Sequence, residues 1–367
     1  MRVLIAIDKF KESLTSVEAA NIIQAGIKKI HPNYHTTVLP MADGGDGFAD
    51  TLKFYLNTET VFVNSVDSLN NKIKAYYEWN DKNKTAIIEL AVCSGLASIP
   101  VKKRNPLKTS TYGTGLLIQH AIQKGAKKII LGLGGSSTND AGMGIAVALG
   151  FNFLDKLGNQ LEPVGESLNK IATIIVPKKL PKISFEIASD VVNPLYGKNG
   201  AAYIYSPQKG ANKAQVIYLD KGLKHISSII SKSTGKDISK LKGVGAAGGV
   251  AAMIVPYFTF SIKSGFQLIA DLSKLEKRLK KTDLLITGEG KIDLQSFQGK
   301  IVGSLIKYAK DLSLDLLLIA GKIGDISKTK LSKYQVIELA DKNTSIEYSI
   351  KNAKKILNKK LQSYLKA

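Results

Sequence analysis

A chain of 367 residues, 44% hydrophobic and 22% charged, has the length for two ordinary cores and the balance of a soluble globular protein. A single cysteine, Cys93, excludes an intrachain disulfide, and no apolar run reaches the roughly 18 to 20 residues of a membrane-spanning helix. The net charge of +22 invites a nucleic-acid reading, but the lysines fall in scattered pairs with no basic arm or stacking motif, which predicts a solvated basic surface that draws in anionic substrates.

From the N-terminus, Arg2 to Ile7 is a short β-branched apolar run that predicts a strand. It lacks the longer apolar region and cleavage site of a signal peptide, so a cytoplasmic protein without a membrane partner is expected. Ser16 is placed to cap a helix whose apolar face is Ala19, Ala20, Ile23, Ile27 and Ile30, and Thr36 to Leu39 returns as a strand. Lys72 to Trp79 and Thr85 to Leu90 alternate like antiparallel strands joined by the turn-forming residues 80–83. Lys127 to Gly132 predicts a strand that opens into a glycine-rich loop and a helix around Gly142 to Gly150, and Phe185 to Ser189 another strand. Strands over Asp283 to Thr287, Asp315 to Ala320 and Gln335 to Leu339 alternate with helices over Gly299 to Leu312 and from Ser345 onwards.

Alternating strands and helices at both ends imply a parallel sheet with right-handed crossovers. The predicted fold is α/β, with two dissimilar domains. One is a Rossmann- or flavodoxin-like parallel layer built from residues 1–66 and 275–367; the other is an inserted mixed-sheet domain over 67–274.

The chemistry is predicted where strand ends run into loops of glycine, acid and hydroxyl residues, because open parallel sheets bind ligands there. Gly134, Gly135, Ser136, Ser137, Thr138 and Asn139 combine backbone amides and hydroxyls suited to phosphate, against the bland reading of a capped glycine turn. Asp43 and Asp46 flank two glycines and suit Mg²⁺, or else cap the following helix. Glu289, Lys291 and Asp293 alternate after an apolar strand, so the acids can hold metal while Lys291 offsets phosphoryl charge; a surface ion-pair cluster is the alternative. Asp190 suits a general base, with Asn193 as a substrate contact, or both shape an Asx-turn before Pro194. Lys9, Lys11 and Arg104 are the cations nearest the predicted ligand face, and Ser13 shares the first loop. No Walker A sequence is present, and Gly243-Val-Gly245-Ala-Ala-Gly248 lacks the preceding buried strand of a dinucleotide site. The four histidines form no cluster, and Cys93 reads as packing.

Together and in order, these loops resemble the type-1 glycerate kinase family. The matching stretches are Asp8-Lys-Phe-Lys-Glu-Ser-Leu-Thr, Pro40-Met-Ala-Asp-Gly-Gly-Asp-Gly, Ser110-Thr-Tyr-Gly-Thr-Gly and Gly134-Gly-Ser-Ser-Thr-Asn-Asp. Asp190-Val-Val-Asn-Pro-Leu, Pro207-Gln-Lys-Gly-Ala, Gly245-Ala-Ala-Gly-Gly and Ile286-Thr-Gly-Glu-Gly-Lys-Ile-Asp complete the series. Glu12, Ser189 and Asp46 stand where the family commonly has Gly, Cys and Glu.

The resemblance implies a cytosolic enzyme that uses ATP and Mg²⁺ to phosphorylate D-glycerate, the 2-position favoured over the 3-position, with its active site between two α/β domains. Catalytic roles fall to Asp190, Lys11 and Lys291, with Lys9, Ser13, Arg104 and Asn193 as substrate contacts. The rivals are a kinase for another small hydroxy acid, a basic nucleic-acid-binding protein, and a module that holds a nucleotide without turnover. Oligomeric state is left open, a homodimer among the options.

Overall fold

The computed structural model describes residues 1–44, 47–297, 301–327, 331–341 and 344–366. Among them the strands run, in chain order, β1 Arg2–Ile7, β2 His35–Pro40, β3 Glu59–Val66, β4 Lys72–Asn80, β5 Thr85–Glu89, β6 Lys128–Gly132 and β7 Asn152–Leu154. They continue as β8 Thr173–Ile175, β9 Ser184–Ala188, β10 Thr259–Lys263, β11 Leu284–Ile292, β12 Asp315–Ile323 and β13 Gln335–Glu338. The chain gathers into two compact units: Met1–Asp43, Asp50–Tyr55 and Phe266–Ala367 form the first, Gly44–Ala49 and Leu56–Gly265 the second.

In the first unit five parallel strands stand in the order β13-β12-β11-β1-β2. Val3 to Ile7 are buried because a parallel sheet is covered on both faces, which is why β1 reads as an unbroken apolar run. One face packs Ala19, Ala20, Ile23 and Ile27 of the helix Ser16–Ile30 together with Leu357 and Leu361 of the helix Ala353–Lys366. The other face packs Ile292, Leu318 and Ala320 against Val302 of the helix Ile301–Asp311. The first helix is capped by Thr15, not Ser16 as expected. Thr15 and Glu18 form a reciprocal capping box, while the Ser16 hydroxyl turns inward, 3.0 Å from that of Thr51.

The second unit has a six-stranded mixed sheet, β10-β9-β6-β5-β4-β3, parallel from β10 to β5 and antiparallel through β4 and β3. Its core holds Trp79, Leu131, Phe153, Phe185 and Ile187. The domain edge expected at residue 66 lies earlier. β3 pairs with β4 along its whole length, from Glu59 opposite Trp79 to Val66 opposite Lys72. A turn held by Asp67 accepting from the Leu69 and Asn71 amides closes that hairpin. The C-terminal edge, expected at 275, lies at Phe266. No described helix is long and apolar enough to cross a membrane.

Candidate active site

The strand order of the first unit reverses direction at β1 and β11, the two strands that start the sheet's opposite halves. In such sheets the crevice beyond the carboxyl ends at that point receives ligands. A cavity of about 1030 Å³ opens there, within the first unit. It receives Asp8, Lys9, Lys11 and Ser13 from the loop after β1, Asp43 from the stretch after β2, and Glu289, Lys291 and Asp293 from β11 and its exit. Asp46 lies outside the described residues.

Local chemistry fixes several of these groups. The Asp8 amide donates to the Gly288 carbonyl at 3.0 Å, and its carboxylate accepts the Lys9 amide at 2.7 Å. Asp8 is only 8% exposed. Burial first, then the charges of Asp43 and Glu289, push its carboxyl up to about 7, against the pull of Lys9. The Ser13 hydroxyl donates to the Phe10 carbonyl at 2.9 Å, so it closes its own loop. β11 stays extended to Ile292, which puts Glu289 and Lys291 on one face, while Asp293 falls in the bend beyond. Lys291 keeps 62% of its side chain exposed and stands 3.2 Å from Asp293. Glycine is required at 288 because a Cβ there would overlap the Ile319 carbonyl oxygen of the neighbouring strand.

The acids offer the oxygen donors that Mg²⁺ takes. Among the described residues, however, no three His, Cys, Asp or Glu side chains are grouped closely enough to form a ready-made metal site. Mg²⁺ commonly keeps waters and shares substrate phosphates with one or two carboxylates, and this donor set fits that habit.

In the second unit the loop after β6 is more inward-facing than predicted. Ser137, Thr138 and Asn139 are buried and bonded within the protein. The Ser137 hydroxyl donates to the Ser94 carbonyl at 2.9 Å, and the Asn139 amide oxygen accepts the Ser206 hydroxyl at 3.0 Å. Ser136 and Thr138 hydroxyls lie 3.0 Å apart, leaving Gly134 and Gly135 as the accessible backbone. Asp190 is exposed just past β9, and a Cβ on Gly44 would stand 3.1 Å from its carboxylate. Asn193 spends its side chain on the loop, donating to the Asn199 carbonyl at 2.8 Å and accepting Tyr205 at 2.6 Å. Arg104 donates to the Ile99 carbonyl at 3.2 Å and stays half-buried.

Three groups lie in motifs of the sequence reading but were given no role there: Asp8, Asp140 and Lys209. Lys209 is fully buried and donates to the Thr138 carbonyl at 2.6 Å and the Ser136 hydroxyl at 3.4 Å. Burial pulls its ammonium down to about 7, opposed by the charge of Asp140. Asp140 is itself raised by burial although it accepts from Thr111, Gly142 and Gly144. The signal for Lys209 was its place in Pro207-Gln-Lys-Gly-Ala; nothing local marks it as buried.

The glycines that mimic a dinucleotide motif follow no strand. Cβ atoms at Gly245 and Gly248 would overlap the Pro194 and Thr138 carbonyls, so they let that segment brace the Asp190 and phosphate-type loops. The helix Phe48–Leu56 begins at Gly47 with no side-chain cap from that residue; the Glu89 carboxylate accepts the Ala49 amide at 2.7 Å instead. His120 meets the Tyr77 hydroxyl at 3.0 Å and His225 the Ile171 carbonyl at 2.7 Å, and burial pushes the Cys93 thiol up to about 11.

A flavodoxin-like layer with acids and lysines at its switch point is the setting of an α/β enzyme that handles anionic substrates. The family model of the glycerate kinase family matches residues 3–367. A glycerate kinase of Halalkalibacterium halodurans is 39% identical over 88% of this chain and 86% of its own. Glycerate 2-kinase of Escherichia coli K12 is 38% identical over 89% and 86%. The crystal structure of a protein assigned as glycerate kinase 2 from Salmonella typhimurium LT2 superposes with a TM-score of 0.87 at 34% identity, covering 100% of this chain and 97% of that one. The chain belongs to the glycerate kinase family and is a phosphotransferase.

Proposed function

We propose that this enzyme transfers the γ-phosphoryl group of ATP to the 2-hydroxyl of D-glycerate, giving 2-phosphoglycerate and ADP. The observation that carries the reading is the cleft at the β1/β11 switch point, where lysines and carboxylates converge in a chain of this family. The 2-position is supported by the Escherichia coli relative named glycerate 2-kinase.

In this mechanism Lys9, Lys11 and Lys291 bind the anionic groups and offset charge that builds on the transferring phosphoryl oxygens. Asp43, Asp46, Glu289 and Asp293 would hold Mg²⁺. When bound, that ion would supply positive charge to offset the charge of the phosphate oxygens. The backbone at Gly134 and Gly135, with Ser136, holds phosphate oxygens; Ser137, Thr138 and Asn139 set the shape of that loop. Asp190 accepts the hydroxyl proton as the new O–P bond forms and the bond to the β-phosphate oxygen breaks. Its exposed carboxylate offers the proton acceptor that task requires. Arg104 pairs with the glycerate carboxylate, and Asn193 and Ser13 hold the loops around substrate.

Calorimetric titration with each ligand and with inorganic phosphate tests the site separately from turnover. Saturable ADP and D-glycerate binding is expected, and binding of neither would overturn the reading.

A further inference from the structure

The cleft is much larger than a three-carbon acid needs, and one of its walls has no use for one. Away from Asp8 and Glu289, the same cavity is lined by Ile323, Ile326, Leu331, Ile346 and Ile350, with Thr344 at their edge. None of these five aliphatic side chains is fully buried, and Ile346 is 67% exposed, whereas Ile286, Ile292 and Ile319 of β11 and β12 are fully buried. The wall is built from the exit of β12, the segment after it, and the helix Ile346–Lys351. The Thr344 and Ser349 hydroxyls stand 3.3 Å apart beside it.

Polar glycerate gains nothing from an aliphatic wall. A flat heteroaromatic ring does, because its faces are apolar while its edge carries donors and acceptors. Ligand pockets typically combine such walls with a few placed polar groups. We infer that the β12–β13 end of the cleft is the purine site of the nucleotide, with the base against Ile323, Ile346 and Ile350 and the phosphates toward the lysine and carboxylate end. This inference rests on the kinase reading and adds the place of the base within the site. The Thr344 and Ser349 hydroxyls donate to the Asp341 and Ser345 carbonyls, so their oxygens are left to accept from an exocyclic amine at the edge of the base.

The test compares two ligands that differ in the base. Calorimetry measures ADP and inorganic pyrophosphate binding to the full chain and to Ile346→Asp and Ile350→Ala. The exposed position of Ile346 makes the first variant safe for folding, so it keeps the test open if the second is unstable. ADP affinity is expected to fall about tenfold or more while pyrophosphate binding stays within about twofold. Unchanged ADP affinity in both variants, with the parent binding ADP normally, would overturn the base site and leave the kinase reading intact. Equal weakening of ADP and pyrophosphate would also overturn it, because the wall would then act on the phosphates. A parent that binds no ADP would remove the kinase reading and the base site with it.

Discussion

Lys209 shows how much of a site can rest on a residue that touches no solvent. Its ammonium is held at the Thr138 carbonyl, and removing it leaves that oxygen and the buried Asp140 carboxylate without a nearby cation. Lys209→Met is expected to cost about 2–3 kcal/mol in unfolding free energy, measured by urea titration. The pH dependence has a defined sign. The folded ammonium loses its proton near 7 while the unfolded one keeps it to about 10.5. Stability from this group therefore rises with pH across that window and is flat below it. Melting parent and variant from pH 7 to 9 should show the parent's advantage growing. Asp190→Asn acts at an exposed position, so its melting temperature should match the parent's while kcat falls about 10²–10⁴-fold; full turnover would remove Asp190 from the mechanism. The acids and lysines of the strand-end loops were legible because their types and order carry chemistry. The burial of Asp8, Asp140 and Lys209 was not, since it comes from elements distant in sequence.

At the scale of elements, β11 and β12 were read in the right places but ended too early. β11 was expected to stop at Thr287 and β12 at Ala320, where glycines and charges begin; both run on, to Ile292 and Ile323. Parallel pairing explains it: Glu289, Lys291 and Ile292 pair with Ala320, Lys322 and Ile323, so the sheet carries the proposed site residues Glu289 and Lys291 on its own ladder. Local composition cannot reveal such cross-strand support. Gly288 is where the ladder is tightest. Gly288→Ala should lose about 1–3 kcal/mol and most activity, because the Ile319 carbonyl must move. Gly158→Ala is no neutral control, since Gly158 has φ +85°, but it meets no atom within 4 Å and should leave turnover unchanged. Similar kinetics for both variants would show that the close strand approach does not set the site.

For the whole molecule, the two-unit plan was readable from the switch between helix-linked strands and alternating hairpin strands, but β3 was not, because half its residues are polar or exposed on a sheet edge. Mg²⁺ is expected to raise the melting temperature only slightly alone and by several degrees with ADP, as a shared metal–phosphate site requires. A full rise with Mg²⁺ alone would instead indicate a preformed metal site. The measurement that meets the central claim directly is a coupled assay of ADP release with D-glycerate and Mg-ATP, followed by phosphorus NMR of the product. Glycerate-dependent turnover with a 2-phosphoglycerate resonance is the predicted result. No turnover from folded, nucleotide-binding enzyme, or turnover only with another hydroxy acid, would contradict it.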